Sequence, residues 1–244
     1  MKYLITGAFG GLGSATVDAA LAARHAVVAQ DVRINEQLLE KWRSAAGDRI
    51  STIVGDLGSK DILDAIGAIE DLDRVVAAHG IGGAGALAEL TDEYVRRVMQ
   101  VDYVSVVDLC QATSPALTSS GGSFVALSSQ AGLRGEELNS AYCAAKFALV
   151  GWASSSGPAF ASEGFRVRIL CPGAIDAGMF RQVSSRQAED GGVALSEIVD
   201  RRVATISVGR LGRPAEIAAA AVWLGDLRTP TPVTVAVNGG DTFF

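Results

Sequence analysis

The chain has 244 residues, of which 49 % are hydrophobic and 20 % are charged, and its formal net charge is −6. This composition is that of an ordinary globular protein and excludes a disordered or fibrous chain. The length suits an α/β fold, and we expect a single domain over residues 1–244. Because the chain carries no basic stripe, we expect small molecules as partners rather than nucleic acid or membrane surfaces.

The start of the chain and its cysteines predict where the protein resides. The first six residues lead directly into a glycine-rich segment, without the long apolar run of a signal peptide or a membrane span. Cys110, Cys143 and Cys171 are odd in number and widely spaced, which fits neither a disulfide framework nor a zinc site. The prediction is a cytoplasmic protein without a bound metal.

Seven apolar runs bounded by turn residues predict strands. They lie at residues 2–6, 26–30, 50–54, 73–78, 122–128, 165–170 and 233–237. Between the first four runs, apolar residues recur at helical spacing, as at Leu12, Ala15 and Ala19. Almost continuously apolar strands are typical of a parallel sheet that is covered on both faces. The predicted fold is therefore a doubly wound, seven-stranded parallel sheet flanked by helices on both faces.

Ligands of a doubly wound sheet bind beyond the carboxyl ends of its strands. The residues just past the predicted strand ends are Gly7, Asp31, Asp56, Gly80, Ser129 and Pro172. Turn formers, two carboxylates and a hydroxyl therefore gather at one edge of the predicted sheet. We expect the functional site there.

The glycine-rich turn TGAFGGLG follows the first strand and places Gly7, Gly11 and Gly13 at the start of a helix. Glycine lets the backbone approach a pyrophosphate closely, and a helix N-terminus offers free N–H donors. A tight connection between a strand and a helix would show the same three glycines. The glycines alone leave both interpretations open.

Acidic residues follow the second and third predicted strands. Asp31 can accept hydrogen bonds from the adenosine ribose and would repel a 2′-phosphate, so NAD is predicted rather than NADP. Arg33 would soften that preference, and Asp31 has the alternative role of capping a turn. Asp56 can meet the amino group of adenine, or it can be a turn carboxylate before the helix start at Gly58.

Tyr142 and Lys146 lie four residues apart in a segment with helical character, so their side chains share one face. An ammonium beside a phenol in a partly desolvated cleft stabilises the phenolate, and we expect the pKa of Tyr142 to be lowered. A packed aromatic ring beside a solvated lysine is the alternative from spacing alone. Ser129, thirteen positions before Tyr142, favours a catalytic interpretation.

These segments together resemble the short-chain dehydrogenase/reductase family over nearly the whole chain. TGAFGGLG resembles the cofactor turn of the family, and the segment from Ser129 to Lys146 resembles its Ser…Tyr-x-x-x-Lys site. CPG at 171–173 resembles its Pro-Gly loop, and VNGG at 237–240 resembles part of its C-terminal segment. The resemblance implies a Rossmann-type fold and a nicotinamide cofactor.

The resemblance also implies a role for each site residue. Tyr142 would be the general base in alcohol oxidation and the general acid in carbonyl reduction, and Ser129 would polarise the substrate oxygen. Lys146 would lower the pKa of Tyr142 and bind the nicotinamide ribose. Asp102 aligns with an asparagine that commonly completes a catalytic tetrad, and it would position a water near Lys146 or be merely structural.

The cofactor-binding residues implied by the resemblance follow the dinucleotide from end to end. They are Asp56 and Leu57 at the adenine, Asp31 at its ribose, Gly7, Gly11, Leu12 and Gly13 at the pyrophosphate, Gly80, Tyr142 and Lys146 at the inner ribose, and Pro172, Gly173 and Ile175 beside the nicotinamide.

Several positions depart from the family pattern. AAHG at 77–80 replaces Asn-Asn-Ala-Gly, which predicts that side-chain bonds between strands are lost, with His79 a backbone-bonded loop residue rather than a catalytic one. Ala177 and Asn238 replace a threonine and an aspartate, which predicts weaker cofactor binding. Pro158 predicts a kink or an early end of the helix that carries Tyr142.

The sequence thus predicts an NAD-dependent oxidoreductase that interconverts a small or medium apolar secondary alcohol and its ketone. One alternative is an NADP-linked carbonyl reductase. A second is halohydrin dehalogenation, which the glycine turn and Lys146 oppose. A third is a nucleotide-sensing protein without turnover, which the altered Asp102 and Ala177 make conceivable.

The segment at about 177–208 is predicted to be a substrate lid. Met179 and Phe180 would be its apolar contacts with the substrate, with ordinary helix packing as the alternative. The resemblance further suggests a homotetramer or homodimer built on the helices around 92–118 and 141–162.

Overall fold

A computed structural model of the protein describes residues 1–82, 90–228 and 233–242. Seven strands form one sheet in the spatial order 3-2-1-4-5-6-7, and every neighbouring pair is parallel. The strands are β1 (Lys2–Thr6), β2 (Ala26–Asp31), β3 (Ile50–Val54), β4 (Arg74–Ala77), β5 (Ser123–Leu127), β6 (Arg166–Pro172) and β7 (Val233–Val237). Each lies where an apolar run predicts a strand, so the predicted doubly wound parallel sheet is confirmed.

Helices connect successive strands and cover the sheet. They are α1 (Gly11–Ala22), α2 (Glu36–Ala46), α3 (Lys60–Gly67), α4 (Asp92–Met99), α5 (Ser105–Ser120), α6 (Ser140–Ser162), α7 (Gly178–Gly191), α8 (Leu195–Ala204) and α9 (Pro214–Asp226). A π-helical turn, Gln100–Val104, joins α4 to α5. Within the described ranges, none of the helices combines the length and the apolar character needed to cross a bilayer.

Two hydrophobic clusters lie on the two faces of the sheet, because successive side chains of a strand point in opposite directions. Tyr3 and Ile5 of β1 belong to the cluster that includes residues of α1, α2 and α9. Leu4 belongs to the other cluster, which includes residues of α3, α5 and α6. All three side chains are fully buried, and burying Leu4 and Ile5 contributes roughly 1.5–3 kcal/mol each. Because helices cover both faces of the sheet, a binding site can form only at the ends of the strands.

The winding of the sheet reverses at β1, which pairs with β2 on one side and with β4 on the other. Such a reversal opens a crevice at the carboxyl ends of the strands. The loops after β1 and β4 meet there, since a Cβ on Gly7 would lie 2.7 Å from the Cα of His79. The fold thus brings two predicted site segments together at the switch point.

The helix that carries Tyr142 does not end at Pro158. Helix α6 continues through this proline to Ser162, so the predicted early end is wrong. Proline in a helix interior costs about 3 kcal/mol because a hydrogen bond is lost. Phe160, one half-turn later, packs against Trp152 and Phe165 at ring-centroid distances of 6.1 and 4.9 Å. This aromatic packing stabilises the last turn of the helix.

Candidate active site

The glycine turn between β1 and α1 requires glycine for two separate reasons. Gly7 has a φ of +61°, a backbone angle that residues other than glycine rarely adopt. It also lies against the backbone of His79. A Cβ on Gly13 would lie only 2.0 Å from the carbonyl oxygen of Gly7. The interpretation as a tight strand-to-helix connection therefore holds for these two residues, whatever they bind.

The same turn also fits the pyrophosphate of a dinucleotide. Among the described residues, no side chain caps the N-terminus of α1, so its first backbone N–H groups are available to an anion. Gly11, the first residue of this helix, is exposed, and Leu12 is partly exposed. A phosphate could therefore approach the helix terminus without meeting a side chain at position 11.

Asp31 is fixed at the end of β2 by two backbone donors. Its carboxylate accepts hydrogen bonds from the N–H of Phe9, 2.9 Å away in the glycine turn, and from the N–H of Val32 at 2.7 Å. The predicted turn-capping role is thus realised. A carboxylate has about four acceptor positions, so the same group retains the capacity to accept from ribose hydroxyls.

Asp56 and Leu57 differ in how they can face an adenine ring. Asp56 is exposed, and it accepts a hydrogen bond from the N–H of Gly58 at 2.8 Å, which is the turn-carboxylate arrangement. The side chain of Leu57 is 5 % exposed and belongs to a hydrophobic cluster of the core. Only the backbone of Leu57 can therefore contact a nucleotide.

The structure brings Ser129, Tyr142 and Lys146 together. Ser129 follows β5, and its hydroxyl accepts a hydrogen bond from the N–H of Ala131 at 3.1 Å. Tyr142 and Lys146 lie on one face of α6, with the Lys146 Nζ 5.4 Å from the centre of the tyrosine ring. Ser129 lies close enough to Tyr142 to lower the pKa of its phenol. The hydroxyl of Ser129, the phenol of Tyr142 and the ammonium of Lys146 thus form one polar cluster at the carboxyl edge of the sheet.

Lys146 is buried and forms a direct ion pair with Asp102. Its Nζ lies 3.0 Å from the Asp102 Oδ1 and donates to the carbonyl oxygen of Leu127 at 3.2 Å. A distance of 3.0 Å leaves no room for a water between these two atoms, so Asp102 contacts this lysine directly. The Asp102 side chain projects from the π-helical turn before α5.

Gly80 lies against this ion pair. A Cβ at this position would lie 2.6 Å from the Asp102 Oδ1 and 3.4 Å from the Lys146 Nζ. The next residue, Ile81, donates its N–H to the Asp102 Oδ2 at 3.0 Å. The loop after β4 is thus shaped around the ion pair, in addition to its predicted contact with the inner ribose.

The pKa of Tyr142 is raised, contrary to the expectation from the neighbouring lysine. Burial of the phenol raises the pKa most, and the charges of Asp102 and Glu136 raise it further. Lys146 and the hydrogen bond with Ser129 lower it, but they do not compensate for burial. The prediction of a lowered pKa is therefore wrong for the chain by itself, because spacing along a helix does not reveal burial.

Lys146 keeps its charge in spite of being buried. Burial lowers the pKa of a lysine, but Asp102 and Tyr142 outweigh that effect, and the pKa of Lys146 is raised overall. An ammonium has three N–H donors. Within the part of the chain that the structure describes, Lys146 donates to the carbonyl oxygen of Leu127 and pairs with the charge of Asp102, which leaves an N–H donor for a ribose hydroxyl.

His79 restores side-chain bonds that the sequence suggested were lost. Its Nδ1 lies 2.6 Å from the hydroxyl of Thr6, and its Nε2 lies 2.9 Å from the hydroxyl of Ser105. The Ser105 hydroxyl donates to the carbonyl oxygen of Val101, so it accepts a hydrogen from the histidine Nε2. The expectation of a backbone-bonded loop histidine is wrong, because this imidazole links β1 to α5.

The Pro-Gly loop packs against the C-terminal segment. Gly173 donates its N–H to the carbonyl oxygen of Val237 at 3.0 Å, and a Cβ at this position would lie 2.7 Å from the Cα of Asn238. Pro172 is buried as the last residue of β6. Ile175 is 7 % exposed, and its side chain lies against Gly212. The backbone near Ile175, rather than its side chain, is thus left to face a nicotinamide.

Helices α7 and α8 occupy most of the segment predicted to be a lid. Met179 is 39 % exposed and lies close to the loop after β4, since a Cβ on Gly82 would be 2.7 Å from its sulfur. Phe180 instead lines a cavity between α7 and α8 together with Ile198 and Arg202. Met179 is therefore positioned near the crevice, whereas Phe180 follows the alternative of ordinary helix packing.

A polar network beside the site has no counterpart in the sequence analysis. Asp241, whose side chain is 1 % exposed, accepts hydrogen bonds from Arg134 at 3.0 Å and from Arg202 at 2.6 Å. Gln130 donates to Glu136 at 2.8 Å in the loop that follows Ser129. The network joins the C-terminal segment, the loop after β5 and helix α8. Its members are far apart in sequence, and no motif marks them.

Comparison with known proteins gives a match to a family and to several of its members. A family model described as short chain dehydrogenase matches residues 2–188. The sorbitol dehydrogenase of Cereibacter sphaeroides is 27 % identical over 252 residues, which cover 98 % of this chain and 96 % of that protein. The "inactive 2-(S)-hydroxypropyl-CoM dehydrogenase 2" of Xanthobacter autotrophicus is 32 % identical over 179 residues, which cover 72 % of this chain and 75 % of that protein.

Solved structures share the architecture over almost the whole chain. The crystal structure of a 3-oxoacyl (acyl-carrier-protein) reductase from Agrobacterium tumefaciens, with NADP bound, is similar with a TM-score of 0.83 and 25 % sequence identity. The similarity covers 98 % of this chain and 93 % of that one. The similarity therefore extends to the crevice at the carboxyl edge of the sheet.

Proposed function

The chain belongs to the short chain dehydrogenase family of NAD(P)-dependent oxidoreductases, and from that premise we propose that it interconverts a secondary alcohol and a ketone with NAD. The observation that carries the proposal is the convergence of Ser129, Tyr142 and Lys146 at the carboxyl edge of the sheet. The substrate is a small or medium apolar molecule, because Met179 places an apolar side chain next to the loop after β4.

Tyr142, Ser129 and Lys146 each have a separate role in the proposed reaction. Tyr142 gives its proton to the carbonyl oxygen during reduction and takes it from the hydroxyl during oxidation. Ser129 donates a hydrogen bond to the same oxygen and polarises it. Lys146 holds a ribose hydroxyl with its remaining N–H donor. The nicotinamide dinucleotide, when bound, supplies or accepts the hydride. The segment 177–208 acts as a lid that excludes water from the site.

The preference for NAD rests on Asp31. Its carboxylate is held by the N–H of Phe9, so a negative charge is fixed at the end of β2 where an adenosine ribose would lie. A 2′-phosphate would be repelled by this charge. NADP is the second candidate cofactor, because Arg33 is exposed two residues further on and the similar reductase of Agrobacterium tumefaciens holds NADP.

The cofactor is tested by titrating the purified protein with NADH and with NADPH. We expect tighter binding of NADH, and we expect Asp31→Ala to reduce the difference by removing the repulsive charge. Asp48→Ala is the matched control, since Asp48 is exposed and lies at the opposite end of the sheet, just before β3. Equal binding of both nucleotides by the unmodified protein would contradict the proposed preference.

The reaction is tested by an NAD-coupled screen of secondary alcohols and ketones. Tyr142→Phe keeps the ring but removes the proton donor, and we expect turnover to fall by about 10²–10⁴-fold or more while NADH binding is retained. Turnover that survives this substitution would contradict the role of Tyr142 as acid and base.

A nucleotide-sensing protein without turnover is the second candidate function. It is favoured by the raised pKa of Tyr142, which burial, Asp102 and Glu136 produce, and by similarity to a protein named as inactive. The same screen distinguishes the two functions. A sensor would bind NADH and show no turnover with any substrate class, and Tyr142→Phe would leave its behaviour unchanged.

The proposed assembly is a homotetramer or homodimer that buries α5 and α6. Phe147 supports it, because this apolar side chain of α6 is 43 % exposed in the single chain. Light scattering coupled to size-exclusion chromatography measures the mass of the assembly. We expect Phe147→Glu to shift it toward the monomer.

A further inference from the structure

Asp102 lies where it can control the charge next to Tyr142. Its side chain is fully buried, the side chain of Lys146 is 3 % exposed, and 3.0 Å separates the Asp102 Oδ1 from the Lys146 Nζ. Charges enclosed in this way are poorly screened by solvent, so each acts on the neighbouring phenol. The carboxylate occupies the position at which the family resemblance implies an asparagine.

We propose that Asp102 is a positioning residue that holds Lys146 by a direct ion pair and offsets its charge, so that Tyr142 keeps its proton to a higher pH than beside an unpaired lysine. The kinetic consequence of this inference rests on the proposed function. The electrostatic consequence does not, because it concerns side chains of the protein alone.

Two contacts fix Asp102 in this role. The N–H of Ile81 donates to Oδ2 at 3.0 Å, and the ammonium of Lys146 contacts Oδ1. Gly80 provides the space for the pair, since a Cβ there would lie 2.6 Å from the carboxylate. The carboxylate is therefore held from the loop after β4 and from α6 at once, and it cannot turn away from the lysine.

The titratable groups on neighbouring strands do not offset the lysine charge. Burial and the charge of Lys146 lower the pKa of His79, beyond β4, to about 3, so this imidazole is neutral. Burial raises the pKa of Cys171, in β6, to about 11, so its thiol is neutral as well. Neither group carries a negative charge that could replace that of Asp102.

The groups on the surrounding helices and loops act less strongly. Burial and the charge of Asp102 raise the pKa of Tyr94 in α4, while the charge of Arg186 in α7 lowers it. Glu136, in the loop before α6, acts on Tyr142 in the same direction as Asp102 but more weakly. Asp102 therefore supplies the largest negative charge acting on the phenol.

The ion pair suits the site to carbonyl reduction. A protonated Tyr142 is the form that donates to a carbonyl oxygen, and the deprotonated form is required to accept a proton from an alcohol. Reduction should thus keep its rate to a higher pH, and oxidation should require more alkaline conditions. The pH limit of reduction and the pH limit of oxidation are both set by the ionisation of Tyr142.

The test is an ultraviolet titration of tyrosinate in Asp102→Asn, which removes the charge and keeps the shape. Subtracting the titration of Asp102→Asn/Tyr142→Phe isolates Tyr142, and the unmodified protein is treated likewise with Tyr142→Phe. We expect Tyr142 to ionise about one pH unit lower in Asp102→Asn, a tenfold loss of proton affinity. No nucleotide and no turnover are needed for this measurement.

Asp108→Asn is the matched control, because it makes the same substitution six residues later in α5, outside the site. We expect it to leave the ionisation of Tyr142 unchanged. If Asp102→Asn does not fold, Asp102→Ser replaces it with the same expected shift. An unchanged or higher ionisation pH in the folded variant would overturn the inference.

The pH dependence of kcat/KM for alcohol oxidation is the second measurement. We expect its acidic limb, along which activity rises as Tyr142 loses its proton, to move to lower pH in Asp102→Asn by a similar amount, which a merely structural residue would not cause. If no alcohol is oxidised but the tyrosinate shift is present, the proposed function fails and the inference stands. If alcohols are oxidised and neither profile moves, the inference fails and the proposed function stands.

Discussion

The imidazole of His79 contacts the hydroxyl of Thr6 at 2.6 Å and so ties the end of β4 to the end of β1. These two strands border the crevice at which the winding of the sheet reverses. The second ring nitrogen bonds to Ser105 of α5 at 2.9 Å. One neutral side chain therefore fixes a strand, a loop and a helix beside the candidate active site.

This contact predicts an acid sensitivity of the fold. The pKa of His79 is lowered to about 3 by burial and by Lys146, whereas an unfolded histidine has a pKa of about 6.5. Between these values only the unfolded chain binds the proton, so the free energy of unfolding should fall as pH decreases, by about 1.4 kcal/mol per unit. Urea unfolding from about pH 6.5 to about pH 4 measures this slope.

The contribution of His79 to that slope is isolated by His79→Asn, which cannot take up a proton in the unfolded state. We expect a flatter dependence on pH, together with a loss of about 1–3 kcal/mol at neutral pH from the altered buried hydrogen bonds. As the control, His25→Asn should retain most of the pH dependence of the free energy of unfolding. An equally steep dependence in His79→Asn would contradict the buried neutral state of this residue.

Removing Asp102 altogether should destabilise the protein. Asp102→Ala leaves the buried ammonium of Lys146 without its partner, and breaking such a pair costs about 3–5 kcal/mol. Asp92→Ala, which breaks an exposed pair with Arg96, should cost no more than about 1 kcal/mol. Urea unfolding of both variants at neutral pH makes the comparison, and similar losses would mean that the buried pair is unimportant for stability.

The glycine turn should not tolerate a methyl group at its centre. Gly13→Ala would place a Cβ 2.0 Å from the carbonyl oxygen of Gly7, so the turn must shift and NADH binding should weaken by at least about tenfold. Gly151→Ala in α6 is the control, because no atom lies near its Cβ position. That variant should be stabilised by about 0.5–1 kcal/mol and should bind NADH normally. Fluorescence titration with NADH measures both.

Local patterns in the sequence were sufficient for the fold. The apolar run that predicts β1 and the run that predicts β5 both lie within the observed parallel sheet, because a strand covered on both faces must be apolar throughout. The early end predicted at Pro158 failed, since proline reports a lost hydrogen bond but not the aromatic packing of Phe160 that stabilises the following turn.

The candidate site could be predicted from the sequence where its residues lie close together along the chain. Tyr142 and Lys146 share a helix face because they are four residues apart, and Gly7 and Gly13 belong to one turn, so both sets could be found from sequence. The network around Asp241 could not, because Arg134 and Arg202 meet it only after the chain has folded.

The sequence by itself determined the parallel sheet, the glycine turn and the neighbouring phenol and ammonium, since each depends on residues close together in the chain. The tertiary structure decided the charge balance at Tyr142 and the bonds of His79. Burial raises the pKa of the phenol, and Asp102 reaches Lys146 from a different helix. Desolvation and long-range charge depend on distances in space, which the spacing of residues along the chain does not contain.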